Sequence, residues 1–342
     1  MKTKIKKIIS KLSLKSQKEI QEVSMPKWVD PMLATLTQDY FSSDHFISEH
    51  KWDGERIIAY KSSNKVSLMT RNKKLANDNY PELVKNIQNQ AINNFILDGE
   101  MVAQENNKSN FSVLQKIMHS GSPKLSKNIE IFYYVFDIIY LDKYDLTNLE
   151  LIDRKFLLEN SIEFKDQLKF TEYYIGKQIE HFKKACQLGW EGLIVKNIHS
   201  KYEKIRSKSW LKFKCFEQQE LVITGYTDPQ KSRVGFGALL LGYYENNKLI
   251  YAGKVGAGFN RETLKELKEK LSKIEQKDNP FNPPDSSIKK SKSIHWVLPK
   301  LVAEIRFSQW TAYNKLRHPR FMGLRYDKDP KEVIKEIPQN YI

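Results

Sequence analysis

The 342-residue chain is poor in cysteine, with Cys186 and Cys215 as its only two, neither in a metal-like spacing. A disulfide framework and a zinc site are therefore not expected, and a reducing cytoplasm is the expected compartment. No apolar run approaches the ~20 residues needed to cross a bilayer, which excludes a membrane span. The opening "MKTKIKKIISKLSLKSQKEIQEVS" has no continuous apolar segment and no small-residue cleavage site, so it does not read as a secretory signal. Internal repeats are absent, and beyond a Lys/Asn/Ile bias there is no low-complexity segment.

Acidic residues are also in deficit: 41 against 57 lysines and arginines, for a net charge of +16. That surplus is spread beyond any single lysine-rich tail, and an extended polyanion is its natural partner. A hydrophobic content of 40% and this length suffice for two ordinary domains. Residues 1–24 read as a flexible or weakly helical basic extension, able to touch phosphates or simply solvated.

From "VDPMLATL" to about residue 216, strand and helix patterns alternate. "ERIIAY", the turn "KSSNK" and "VSLMT" read as a hairpin. "NFILDGEMVA" and "EIFYYVFDIIYLD" are apolar enough for buried strands, the second on both faces. Helical spacing in "KQIEHFKKACQLGW" leads into the strands "EGLIVKN" and "SWLKFK". After Lys214 the character changes to "LVITGYTDP" and "GALLLGYYENNKLIYAGKVG", the start of a small β-barrel. Leu264, Leu267, Leu271 and Ile274 then recur at helical spacing, "DNPFNPPDSS" interrupts, and "LVAEIRFSQW" returns to strand.

One lysine stands apart. In "EHKWDGERIIAY", Lys51 sits among a histidine, a tryptophan and an Asp-Gly turn at the mouth of a strand. An ordinary lysine amine, pKa near 10.4, is neutral in roughly one molecule in a few thousand at pH 7. A nucleophilic lysine needs desolvation or neighbouring positive charge. Arg56, Arg71, Lys212 and Lys214 are candidates to supply that charge and to hold phosphates.

"KWDGER" resembles motif I, Lys-x-Asp-Gly-x-Arg, of the covalent nucleotidyltransferases: ATP-dependent DNA ligases, RNA ligases and mRNA-capping enzymes. Further motifs of that superfamily follow in order: "TRN" at 70–72, "LDGE" at 97–100, "FDIIY" at 136–140, "EGLIVK" at 191–196 and "WLKFK" at 210–214. "RYDK" at 325–328 matches motif VI, Arg-x-Asp-Lys, of DNA ligases. The stretch 301–328, with "PMLATL" and "EHKWDGER", is similar to the ligase domain of bacterial non-homologous end-joining ligases of the ligase D type. The resemblance spans roughly residues 25–330.

It implies an α+β chain: a basic extension at 1–24, an ATP-grasp-like nucleotidyltransferase (ligase) domain at 25–216, and a carboxyl-terminal OB-fold β-barrel at 217–342. By resemblance, Lys51 attacks the α-phosphorus of ATP and Glu49 helps read the adenine. Arg56 holds a nucleotide or DNA-end phosphate, and Arg71 binds ribose or phosphate. Glu100 contacts ribose or helps place a metal, Phe136 stacks on the adenine, and Glu191 binds the metal, Mg²⁺ or Mn²⁺. Lys196, Lys212 and Lys214 neutralise the triphosphate. Lys212 and Lys214 alternate with Leu211 and Phe213, so both charges share one strand face. Arg325 and Lys328, assisted by Asp327, orient the pyrophosphate.

The implied partner is duplex DNA with nicks or ends, together with a Ku-like end-binding protein. The chain is expected to be monomeric and nucleoid-associated, without membrane contact. An RNA ligase on the same scaffold and a non-catalytic OB-type binding protein are the competing readings. Nicotinamide-dependent ligases are set aside, since two isolated cysteines cannot build their usual zinc site.

Overall fold

A computed structural model of the chain describes residues 2–105, 108–109, 111–120, 128–230, 233–286, 288 and 293–338. It divides into two units, one running to Cys215 and one over Phe216–Ile337.

The first unit holds two sheets. The larger runs Gln21–Glu22, Tyr144–Asp145, Ile129–Leu141, Asn94–Glu105, Glu55–Ser62, Lys65–Thr70. The smaller runs Tyr173–Ile175, Phe46–His50, Gly192–Asn197, Arg206–Lys214, Leu33–Leu36. The expected hairpin is present, with Glu55–Ser62 paired antiparallel to Lys65–Thr70 and a tight turn at Ser63 and Asn64.

Strand alternation explains why "RIIAY" is apolar throughout. Ile57 and Ala59 enter a core shared with helix Pro81–Gln88 and helix Leu151–Ser161, while Ile58 and Tyr60 enter a second core with Ile96, Phe136 and Trp210. That second core joins residues of the two sheets, and the candidate site lies along it. A third, smaller core packs Leu193, Val195, Leu211 and Phe213 against Ala185 of helix Gln178–Gln187.

Two expectations are corrected. The head takes the helical alternative of that reading, as helices Lys2–Ile9 and Leu14–Glu19, but it is neither a loose extension nor a solvated tail. Ile5, Ile8 and Leu12, on one helical face, are buried in the main core, and Ser13 caps the second helix by accepting from the Ser16 N–H at 3.0 Å. The cysteines are also paired. Cys186 and Cys215 form a disulfide with a Cα–Cα distance of 5.3 Å, because the helix carrying Cys186 packs beside the strand that ends at Lys214. Sequence spacing says nothing of that packing.

The second unit is a closed barrel. Strands Glu217–Thr227, Leu239–Glu245, Lys248–Val255, Ile294–Phe307 and Arg320–Leu324 pair in the order third, second, first, fourth, fifth. A parallel bridge between Ala257 and Arg320 links the fifth to the end of the third. This is the OB arrangement, with helix Arg261–Ser272 between the third and fourth strands. Asn260 caps that helix, accepting from the Thr263 N–H at 2.7 Å, and Leu264, Leu267 and Leu271 are buried beneath it. The hairpin before the helix turns at Asn246 and Asn247, both left-handed.

Candidate active site

The smaller sheet sets the site by register. Glu49 lies opposite Ile194, which lies opposite Lys212; Gly192 lies opposite Lys214, and Lys196 opposite Ile47 and Trp210. With side chains alternating, Glu49, Lys51, Lys196, Lys212 and Lys214 therefore share one face. The opposite face is the apolar one that packs on helix Gln178–Gln187. Five charged residues on one face and an apolar layer on the other is a sheet built to present charge.

The Lys51 N–H donates to the Gly192 carbonyl at 3.1 Å, and its ammonium pairs directly with Glu191. The residue expected to attack and the residue expected to hold the metal are thus in contact. Two glycines permit this close packing. A Cβ at Gly54 would lie 2.0 Å from the Met101 carbonyl oxygen and 3.0 Å from Glu100 Cγ. One at Gly192, whose φ is +152°, would lie 1.9 Å from the Phe213 carbonyl oxygen.

Glu49 is buried between two lysines, 2.5 Å from Lys155 and 2.6 Å from Lys196. Burial pulls the Lys196 ammonium down to about 8, and Glu49 opposes that pull. Lys196 also lies 4.4 Å from the centre of the Phe136 ring and 4.0 Å from that of Trp210. Arg56 covers the Phe136 ring at 4.5 Å. Its guanidinium is committed to Asp98 through two contacts of 2.5 Å and to the Met32 carbonyl at 3.2 Å. Although burial opposes its charge, Asp98 outweighs burial and raises its pKa. Glu100 is the strand partner of Arg56. Arg71 follows directly on strand Lys65–Thr70, whose Thr70 pairs with Ile57.

Arg325 and Lys328 belong to the second unit. Arg325 is gripped by Asp327 at 2.9 and 2.8 Å and by Glu304 at 3.2 Å, and Lys328 pairs with Glu220 at 2.9 Å. Burial pushes the Asp327 carboxyl up, but the Arg325 guanidinium prevails and holds it below the ordinary carboxylate range.

Several residues that shape this site escaped the sequence reading. Asp98 anchors Arg56 and accepts from Tyr202 Oη at 2.6 Å. Arg154 grips Asp137 at 2.8 and 2.9 Å behind the Phe136 strand. A four-ring stack flanks Lys51: Trp190 on His50 at 3.8 Å, His50 on Trp52 at 3.8 Å, Trp52 on Tyr134 at 3.7 Å. Burial, with Lys51 beside it, pushes the His50 imidazole down to about 3. The visible signal was the unusual "HKW" triplet, which alternation splits into Lys51 on one face and His50 and Trp52 on the other.

Residues 31–214 match the ATP dependent DNA ligase domain. The chain belongs to the ATP-dependent DNA ligases. Residues 232–328 match the C terminal region of the same family. It is 35% identical over 322 residues to the multifunctional non-homologous end joining protein LigD of Pseudomonas aeruginosa, covering 92% of this chain and 37% of that one. With the end joining DNA repair protein LigD of Mycobacterium tuberculosis it shares 33% over 326 residues, 94% of this chain and 42% of that one. The chain therefore spans about two fifths of the length of these curated relatives. Among solved structures it is similar to a mycobacterial DNA ligase D complexed with ATP and MES, with a TM-score of 0.63 and 32% identity, over 90% of this chain and 98% of that one. Among the described residues, no helix is long and apolar enough to cross a membrane.

Proposed function

We propose that this chain seals 5′-phosphate/3′-hydroxyl breaks in duplex DNA through a covalent lysyl-AMP. The observation that carries the reading is the contact between Lys51 and Glu191 on a sheet face that also presents Glu49, Lys196, Lys212 and Lys214. In the first step the neutral Lys51 amine attacks the α-phosphorus of ATP. A P–N bond forms as the bond to pyrophosphate breaks, and the amine proton leaves. Transfer of AMP to a 5′-phosphate restores Lys51, and attack by the 3′-hydroxyl then expels AMP.

Glu49 and Phe136 hold the adenine, while Arg56 and Arg71 face ribose and phosphate. Lys196, Lys212 and Lys214 take up triphosphate charge, and Arg325 and Lys328, steadied by Asp327, orient the leaving pyrophosphate. Glu191 and Glu100 are hard oxygen donors suited to Mg²⁺ or Mn²⁺. Among the described residues no group of three or more His, Cys, Asp or Glu forms a ready cage, which fits an ion that takes its other oxygens from water and phosphate. Such an ion supplies charge compensation on the triphosphate.

Likeness to LigD proteins supports end joining with a Ku-like partner as the setting. Residues 25–216, with the head at 1–24 packed into their core, act as the adenylation domain and 217–342 as the OB domain, in a monomer near the nucleoid. The test is transfer of α-labelled ATP to the purified chain with Mg²⁺ or Mn²⁺, for wild type and Lys51→Ala, then a chase with nicked DNA. Stable label on wild type, none on the variant, and discharge with sealing are expected. Discharge by nicked RNA alone would make this an RNA ligase, and no label would make it a binding protein.

A further inference from the structure

Lys155, on helix Leu151–Ser161, is 0% exposed and plays no part in the chemistry above. Three oxygens face its ammonium. Glu49 Oε1 lies at 2.5 Å, the Phe136 carbonyl at 3.2 Å and the Thr171 carbonyl at 3.1 Å. The rings of Phe170 and Tyr173 close around it, with centres 4.7 and 5.0 Å away. A buried lysine is ordinarily an expensive tenant of a core. This one is satisfied by residues that come from separate strands and a loop, and two of them are the residues read above as adenine contacts. Enclosed in this way, it cannot touch a nucleotide itself.

We propose that Lys155 is a positioning residue for base selection, which locks Glu49 and the Phe136 backbone in the arrangement that favours a 6-amino purine. The inference rests on the reading of Glu49 and Phe136 as adenine contacts. An ionised carboxylate is purely an acceptor with about four lone-pair directions. Lys155 and Lys196 each meet one Glu49 oxygen, which holds the carboxylate in place and leaves acceptor capacity for an exocyclic amine. Adenine offers that amine; guanine offers a carbonyl oxygen, which a carboxylate repels. The tie to the Phe136 carbonyl fixes the strand that carries the stacking ring, so edge and face contacts are set by one ammonium. Removing Lys155 leaves Glu49 paired with Lys196 and free to swing toward it.

The experiment measures lysyl-AMP or lysyl-nucleotide formation by the full chain with ATP, GTP and purine riboside triphosphate, which lacks the 6-amino group. Wild type, Lys155→Met and Glu49→Gln are compared. For K155M the expected result is an ATP KM raised about tenfold, the loss of about one charge-assisted contact, with kcat within about threefold. The preference for ATP over the other two triphosphates should fall toward that of E49Q. An unchanged KM and preference in K155M, while E49Q alters both, overturns the proposal. If E49Q itself changes neither, the reading of Glu49 as an adenine contact fails, and the proposal falls by that separate route. A K155M chain that does not fold is replaced by K155Q, whose amide still donates to the two carbonyls. Failure of both to fold makes Lys155 a core residue alone and overturns the proposal.

Discussion

His50 shows how a single side chain beside Lys51 can be tuned by its surroundings. Its ring, clamped between Trp52 and Trp190, stays neutral because burial and Lys51 push its pKa down to about 3. In the unfolded chain an imidazole titrates near 6.5. Between those values the unfolded state binds a proton that the folded state refuses, so stability falls as pH drops from about 6.5 to about 3. His50→Phe preserves a stacked ring and removes the titration. The variant should lose less melting temperature than wild type between pH 7 and 4.5, and NMR of wild type should show no His50 titration between pH 5 and 8.

At the scale of elements, the packing of the head helix is the sharpest departure from what the residues announced. Lysines at 2, 4, 6, 7 and 11 dominate the composition of its first twelve positions, yet Ile5, Ile8 and Leu12 reach the main core. Ile8→Ala should therefore cost about 2–4 kcal/mol in urea unfolding with little change in adenylylation rate; a solvated tail would show no change in stability. The strands were more legible. Lys212 and Lys214 alternate with Leu211 and Phe213, and the structure keeps that alternation, with both lysines half-buried and both apolar residues buried. Glu49 and Lys196 were also legible as motif residues, but their ion pair was not, since it depends on strand Phe46–His50 lying beside strand Gly192–Asn197, a pairing between segments far apart in the chain.

Across the whole molecule, a charge of +16 predicts binding to nicked duplex dominated by phosphate contacts. The logarithm of Kd should then rise linearly with the logarithm of salt concentration. For about six to ten contacted phosphates, affinity should drop about 10³- to 10⁵-fold between roughly 50 and 200 mM salt. A flat dependence, measured by titration of labelled nicked DNA, would assign the charge to solubility instead. Base sequence should matter little, because contacts to phosphate position a duplex without reading it.

The sequence by itself determined the family and the order of parts: a lysine in an Asp-Gly turn, ordered motifs, and a change from mixed helix and strand to a barrel. These are local patterns, carried by residue type and by periods of two and 3.6. Tertiary structure alone decided what Lys155, Asp98 and Arg154 do, that Cys186 meets Cys215, and that four rings line up beside Lys51. A buried charge and a solvated one are written with the same letter. Which of them a lysine becomes depends on the acceptors that distant strands bring to it.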